Sequence, residues 1–519
     1  MNYDIIIVGG SLGGVRAAIS AAKYGKKVLM TEETDWIGGQ LTSQAVPPDE
    51  HKWIESQGAT DSYMLFRKKV RDFYKSKDNF TDNYDDGRPF CPGASWVSRV
   101  AHEPTVAHKI LSDELAEYEK AGLVTVLYNT VAISAEKEND VIKNVRLKNL
   151  LTGECADYTA AYFLDGTDCG DLLPITDTAF RMGAESQNET GEKHAPLTPN
   201  EHDMQPVTWV FAMKLKDKLS PEDIIEKPKD YDYFSSKITQ PGNVKLFSWY
   251  AFNDAKQQTL TYAMFDNTPG AVSLGMWSYR RVVAKWNYKT PVDEVSLINW
   301  PQNDYCDGNI YGNPDSDYHL KMSKELSRCF AYYLQNEAIN GDKKGYPVAM
   351  CGEVLGTTDG FAKAPYIRES RRIVGKQTVV EQDVSKESCR GLTKYPHSVG
   401  VGHYHIDLHR TTVTNTSCYA PTYPFEIPMG AMVPDKTVNL IPACKNISCT
   451  HLTNGCYRLH PVEWNVGEVA GLLAAFCLNK GCTPAEAEAK HYAEFEKILI
   501  ENGIQLHWNE QEMDKSDIS

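Results

Sequence analysis

Val8-Gly9-Gly10-Ser11-Leu12-Gly13-Gly14-Val15-Arg16-Ala17-Ala18 decides the fold. It follows the apolar run Asp4 to Val8, which reads as a strand covered on both faces. Gly9 permits the sharp turn at the strand's end. A helix then runs from about Gly13 to Gly25 with its N-terminal amides facing a pyrophosphate. Gly14 lets that helix lie close against the strand. Ser11 stands where the second glycine of such a turn is usual. Lys27 to Thr31 reads as the second strand, and Glu32, eighteen residues beyond Gly14, is placed to accept ribose hydroxyls. The candidate dinucleotide contacts are therefore Gly9, Gly10, Ser11, Leu12, Gly13, Gly14 and Glu32, with its neighbour Glu33. An acid at position 32 favours FAD or NAD over NADP, whose 2′-phosphate would want arginine.

The rest of the chain suits a large folded enzyme: 519 residues, 42% apolar and 24% charged. A formal charge of −15 argues against a nucleic-acid partner and against adsorption to anionic lipid. The best apolar run, Val469 to Leu478, is ten residues long, short of the roughly 20 that a membrane span needs. Asp4 sits where a secretory leader would be basic, so a cytoplasmic location is expected. Thirteen cysteines with no CxxC pair read as free thiols.

Along the chain, 61–75 and 105–121 read as helices. Val124 to Leu127 and Val141 to Leu147 read as hairpin strands around the charged turn EKEND, and Ala160 to Leu164 as another buried strand. From about residue 180 strands shorten and loops lengthen. Buried-strand character returns at Val438 to Ala443, before a helix from about Glu463 to Leu478. The expected architecture is α/β: a doubly wound, discontinuous cofactor domain (1–180 and 416–480), an inserted mixed α/β substrate domain (181–415) and a helical appendix (481–519).

Beyond Glu32 the chain continues Asp35-Trp36-Ile37-Gly38-Gly39-Gln40. That segment resembles flavoproteins of the glutathione-reductase and fumarate-reductase-like superfamily, in which such a stretch passes beside the isoalloxazine ring. Ala161 to Asp171 is similar to their strand-turn ATGxGD element, with Gly166 replacing the usual Ala or Thr. Asn439 to Cys444, followed by Glu463 to Gly471, is similar to their C-terminal flavin segment. The blocks TEETDWIGGQLTSQ, GAESQNETGE, YIRESRRI and GCYRLHPVEWNVGE resemble those of a bacterial FAD-dependent oxidoreductase family, over residues 5 to about 475. The resemblance implies FAD, redox chemistry on a small molecule, and cofactor contacts at Gly38, Gly39, Gln40, Val126, Asp165, Gly166, Asn465 and Val466. No second glycine-rich turn suggests a separate NAD(P)H site, so O2 or another acceptor is expected to reoxidise the flavin.

For the substrate side, Ser398 to His409 (SVGVGHYHIDLH) reads as one strand with His403, His405, Asp407 and His409 on one face. Such a face suits a polar edge or an active-site wall on which a histidine moves a proton. No metal is expected, because four alternate positions extend over roughly 20 Å. Arg368, Arg371 and Arg372 would share a helical face and could clamp a carboxylate or pyrophosphate, or pair with Glu369, Glu381 and Asp383. His451, Asn454, Tyr457, Arg458 and His460 precede the presumed flavin-facing helix. Trp300 to Tyr305 could stack on a sugar ring or pack as a surface loop. The candidate catalytic set is His409, Asp407, His405, Arg368, Arg371 and His451. The expected reaction is hydride transfer between flavin and a secondary alcohol of a sugar or polyol, or an amine. The alternatives are reduction of an activated C=C bond, or a flavin fold that only grips a partner.

Overall fold

The computed structural model describes residues 3–81, 89–272, 274–312 and 314–514. Its central sheet is built from β1 (Ile5–Val8), β2 (Val28–Glu32), β3 (Val124–Tyr128), β4 (Tyr162–Asp165) and β5 (Leu440–Pro442). All neighbours are parallel, in the order β5-β4-β1-β2-β3. β1 sits in the middle, so the glycine turn after it opens at the centre of the sheet's C-terminal edge, where ligands of open α/β sheets bind.

The two faces of β1 are covered differently. Ile5 and Ile7 pack into a core shared with the motif helix, Leu12–Lys23, and the closing helix, His460–Lys480. Ile6 and Val8 pack instead on Ile142, Val145 and Leu147. Those residues belong to a three-stranded antiparallel sheet, Thr130–Glu138, Val141–Asn149 and Cys155–Tyr158. The second covering layer is thus a β-meander. Here the hairpin reading needs correction. The turn in EKEND is real, with Asn139 and Asp140 at φ +48° and +63°. It joins Thr130–Glu138 to Val141–Asn149, however, while Val124–Tyr128 is the edge strand of the parallel sheet.

The motif helix and the closing helix touch backbone to backbone. A Cβ on Gly467 would collide with the main chain of Gly13, and one on Gly471 with that of Ala17. Arg16, fully buried, ties the pair together: it bonds Glu468 of the closing helix at 3.0 Å and Glu114 of helix Pro104–Lys120 at 2.9 Å. Its guanidinium also lies over Trp464, 4.4 Å from the ring centre.

Between β4 and β5 the chain builds a four-stranded antiparallel sheet, ordered Arg281–Val283, Glu294–Ile298, Phe211–Leu215, Val348–Met350. Helix Ser316–Asn336 packs on it through Phe330 and Leu334. The stretch read as one histidine strand is two: Ser398–Gly402 pairs with Phe425–Pro428, and Ile406–Leu408 pairs with Cys418–Ala420. The first ladder ends at the pair Gly402–Phe425, where a Cβ on Gly402 would meet Phe425 and Val462. No described helix is long and apolar enough to cross a membrane.

The helix contact gives a direct test. Gly467→Ala forces a methyl into a main-chain contact and should cost about 1–3 kcal/mol, as overpacking does. The readout is a lowered urea midpoint with an unchanged slope; an unchanged midpoint would contradict the packing described.

Candidate active site

The glycine turn is a cradle made of missing side chains. Gly9 has φ +96°, and its Cβ would overlap the backbone of Gly166 and Thr167. Gly166 in turn donates its amide to Val8 O at 2.7 Å. Ser11 caps the motif helix, its hydroxyl accepting from the Gly14 amide at 3.2 Å. Glu463 accepts from the Gly13 amide at 3.2 Å. Two of the four donors that every helix N-terminus leaves over are used in this way; those of Ser11 and Leu12 have no intrahelical acceptor and suit a pyrophosphate.

Glu32 is buried, and one of its oxygens accepts from the Thr34 amide and hydroxyl at 2.8 and 2.7 Å. Its other oxygen lies beside Gly10, where a Cβ would come within 2.8 Å. Burial outweighs the Thr34 bonds and pushes the carboxyl up to about 7. Glu33, by contrast, is exposed. Gly38, at φ +106°, donates to Gly10 O at 2.8 Å, and Gly39 packs on Ser11. Gln40 donates to Arg458 O at 3.1 Å and to Glu463, while its Oε1 is buried with no partner among the described residues. An unmet buried acceptor costs roughly 1–3 kcal/mol unless a ligand donor meets it. Lys445, also buried, joins Glu463 to Asp168.

The other expected cofactor residues also have partners within the chain. Both oxygens of Asp165 are taken by Thr167 and the Leu172 amide, so this carboxylate braces its own turn. Val126 lies in β3 opposite Met30. Asn465 donates to Val399 O at 3.0 Å and Val466 is packed in the core, so both anchor the closing helix.

On the other side of Arg458 lies a cavity of about 520 Å³, walled in part by Asp254, Asp304, Tyr404, His405, Asp407 and His409. Its wall is a chain of alternating charges. Arg368 bonds Asp304 at 2.8 Å, Asp304 bonds His409 Nδ1 at 2.6 Å, His409 Nε2 lies 3.4 Å from Asp407, and Asp407 lies 3.3 Å from Arg458. Burial would raise Asp304 and Asp407. The cations beside them, Arg368 and His409 for the first, His409, His405 and Arg458 for the second, hold both well below the usual range. Burial and Arg368 disfavour charge on His409, but Asp304 and Asp407 outweigh them and raise its pKa. The paired imidazolium therefore stabilises the fold at and below the ordinary imidazole range, and that contribution is lost as pH climbs through the raised value.

His405 lies between the rings of Tyr404 and Tyr419, at 4.0 and 4.2 Å, and 4.0 Å from Asp407; burial lowers its pKa. His403 leaves the set at the strand break and packs on Trp53 and His51. The three arginines do not share a helical face, because residues 363–371 are irregular. Arg368 enters the cavity network, Arg371 bonds Asp171 and Cys169 O, and Arg372 bonds Glu369 and Glu185. Of the acids proposed to pair with them only Glu369 does; Glu381 holds His194. His451 bonds Glu369 at 2.8 Å beside Arg372, away from the cavity wall. Tyr457 donates to Glu426 O, Asn454 accepts from Gln205, and His460 spans Asp49 N and Val46 O.

Asp304 is the member of this cavity network that the sequence does not single out. It sits in the loop read as a stacking platform, yet Trp300 and Tyr305 are core rings and only Pro301, Gln302 and Asp304 of that loop reach the cavity. The one available signal was an acid lodged between buried aromatics.

The curated relatives share only short stretches. An FAD-dependent monooxygenase of a Nectria species is 36% identical over 58 residues, 11% of this chain and 14% of that protein. One of an Arthrinium species is 39% identical over 54 residues, 10% and 13%. Among solved structures, a flavin-dependent brominase is 11% identical, with 96% of this chain and 84% of that one covered at a TM-score of 0.36. A geranylgeranyl bacteriochlorophyll reductase-like protein from Thermoplasma acidophilum is 13% identical, at 98% and 85% with a TM-score of 0.33. The profile described as FAD dependent oxidoreductase matches residues 4–499. With that match over nearly the whole chain, and with the cradle its residues build, the protein belongs to the FAD-dependent oxidoreductase family and is an enzyme that uses FAD.

Proposed function

We propose that this enzyme oxidises a small hydroxylated molecule at a carbon that bears a hydroxyl group. The hydride leaves that carbon, the hydroxyl proton passes to His409, and a carbonyl remains. When bound, FAD supplies the two-electron acceptor for the hydride. The observation that carries the reading is the position of His409, with one ring nitrogen on buried Asp304 and the other beside Asp407 at the cavity wall. Asp304 fixes the tautomer and Arg368 fixes Asp304, as a base and its orienting carboxylate require.

The cradle fits the cofactor. The free amides of the glycine turn would hold the pyrophosphate, Glu32 the ribose hydroxyls, and the unmet Gln40 Oε1 a donor of the ring system. Arg458 links the two halves of the site: its carbonyl accepts from Gln40 while its guanidinium holds Asp407. Monooxygenation, suggested by the names of the two curated relatives, rests on stretches of 58 and 54 residues, too short to carry a reaction type.

Glu32→Ala should weaken FAD by about 1.5–3 kcal/mol, the value of hydrogen bonds to a charged group. Because binding uses the carboxylate, wild-type affinity should fall as pH drops below about 7, and the variant should lose that dependence. FAD fluorescence titrations across pH measure both, and a pH-dependent Glu32→Ala would contradict the assignment.

His409→Ala should keep FAD and slow anaerobic flavin reduction by about 10²- to 10⁴-fold, as loss of a general base does. The base works deprotonated, so the wild-type rate should rise with pH through a value above that of free imidazole, given the carboxylates that raise it. Stopped-flow reduction rates decide the matter: wild-type rates in the variant would return His409 to a structural role.

A further inference from the structure

We infer that the substrate is a glycan of more than one sugar unit, with the reacting sugar against His409 and the next unit resting on an aromatic rim formed by Trp96 and Tyr250. The inference rests on the reading of hydroxyl oxidation in the same cavity and names its substrate class.

Trp96 and Tyr250 line this cavity, yet they are 41% and 51% exposed. Single exposed aromatics are ordinary; here two line one cavity that also holds His409. Trp96 is also held in place. Its indole N–H donates to Gly275 O at 3.2 Å, and its ring packs on Tyr279 at 4.6 Å between centres. Tyr250 stands on the short hairpin Tyr250–Asn253 and Gln258–Thr261, with its amide bonded to Ser248. An aromatic face fixed and left open to water offers a sugar ring's C–H face a surface to cover at little entropic cost.

The rest of the lining mixes aromatic and hydrogen-bonding groups. His405 stacks on Tyr404 and lies tilted against Tyr419, so the three rings form one wall. Asn253, Asp254, Gln302, Ser417 and Arg410 supply donors and acceptors around it. A flat apolar substrate would leave the unpartnered Oε1 of Gln302 without a donor. A sugar meets both kinds of wall, its C–H faces on the rings and its hydroxyls on the polar groups. The cavity, about 520 Å³, falls in the range of about 300–1,000 Å³ typical of sites for drug-sized ligands. His409 and the two exposed rings line the same cavity, which leaves the rim to a second sugar unit.

The test uses the FAD-loaded enzyme, with glucose and galactose compared with cellobiose, maltose and lactose. Anaerobic flavin reduction gives kcat/KM for each sugar, and tryptophan fluorescence gives binding in parallel. Disaccharides should exceed their free hexoses by at least about tenfold in kcat/KM, the effect of roughly 1.4 kcal/mol. Trp96→Ala should bring that ratio close to one, and Trp96→Phe should restore most of it. Equal values for hexose and disaccharide, or a ratio untouched by Trp96→Ala, would overturn the inference. So would a panel in which no sugar binds or reduces the flavin. Reduction by polyols or hydroxy acids but by no glycan overturns this inference alone. Reduction by glycans that is indifferent to His409→Ala overturns the reading on which it rests.

Discussion

The motif helix and the closing helix approach until backbone meets backbone, at Gly13 against Gly467 and Ala17 against Gly471. Packing at that distance leaves no room for side chains between them, so two segments 450 residues apart share one rigid wall. Several features of the site depend on it. Glu463, in the first turn of the closing helix, reaches the Gly13 amide. Its second oxygen then collects Gln40 and Lys445, which links the Gly38-Gly39 segment and the turn after β5 to the same carboxylate. Loosening the contact would move the cradle's floor and its roof relative to each other.

The second organising constraint is electrostatic. Burying an ion pair costs several kcal/mol in desolvation, and removing one partner leaves a buried charge uncompensated. The cavity wall meets this cost by alternation: Arg368, Asp304, His409, Asp407 and Arg458 each have an opposite charge as neighbour. The histidine, the one imidazole of the set, sits in the middle of the chain and lines the cavity. Its protonation is set by carboxylates held in place by arginines anchored in the core, so the imidazole is tuned without being locked away from a substrate.

What was legible in the sequence follows from the range of the interactions involved. The β1–turn–helix–β2 unit could be read because strand, glycines and Glu32 are close in sequence and each constrains the next. The helix Asp61–Lys75 could be read from its period. Val124–Tyr128 was assigned to the wrong partner because parallel pairing with β2 joins residues nearly a hundred apart, which no local pattern reports. Arg368, Arg371 and Arg372 were read as one face because their partners, Asp304, Asp171 and Glu185, lie far along the chain. His405, Asp407 and His409, grouped by alternation, line one cavity, but Tyr404 and Leu408 from the expected opposite face line it too. The break that removes His403 follows the pair Gly402–Phe425, and no alternation of residues reports where a ladder ends.

The central claim is that the glycine cradle and the charged cavity form one active site joined through Arg458. The most direct measurement is the crystal structure of the FAD-loaded enzyme. The account predicts pyrophosphate on the turn from Gly9 to Gly14, the ribose hydroxyls on Glu32, and a flavin edge that opens into the cavity holding Asp407 and His409. A ring that faces away from that cavity, with the segment from Gln44 to Asp49 closed between them, would contradict it.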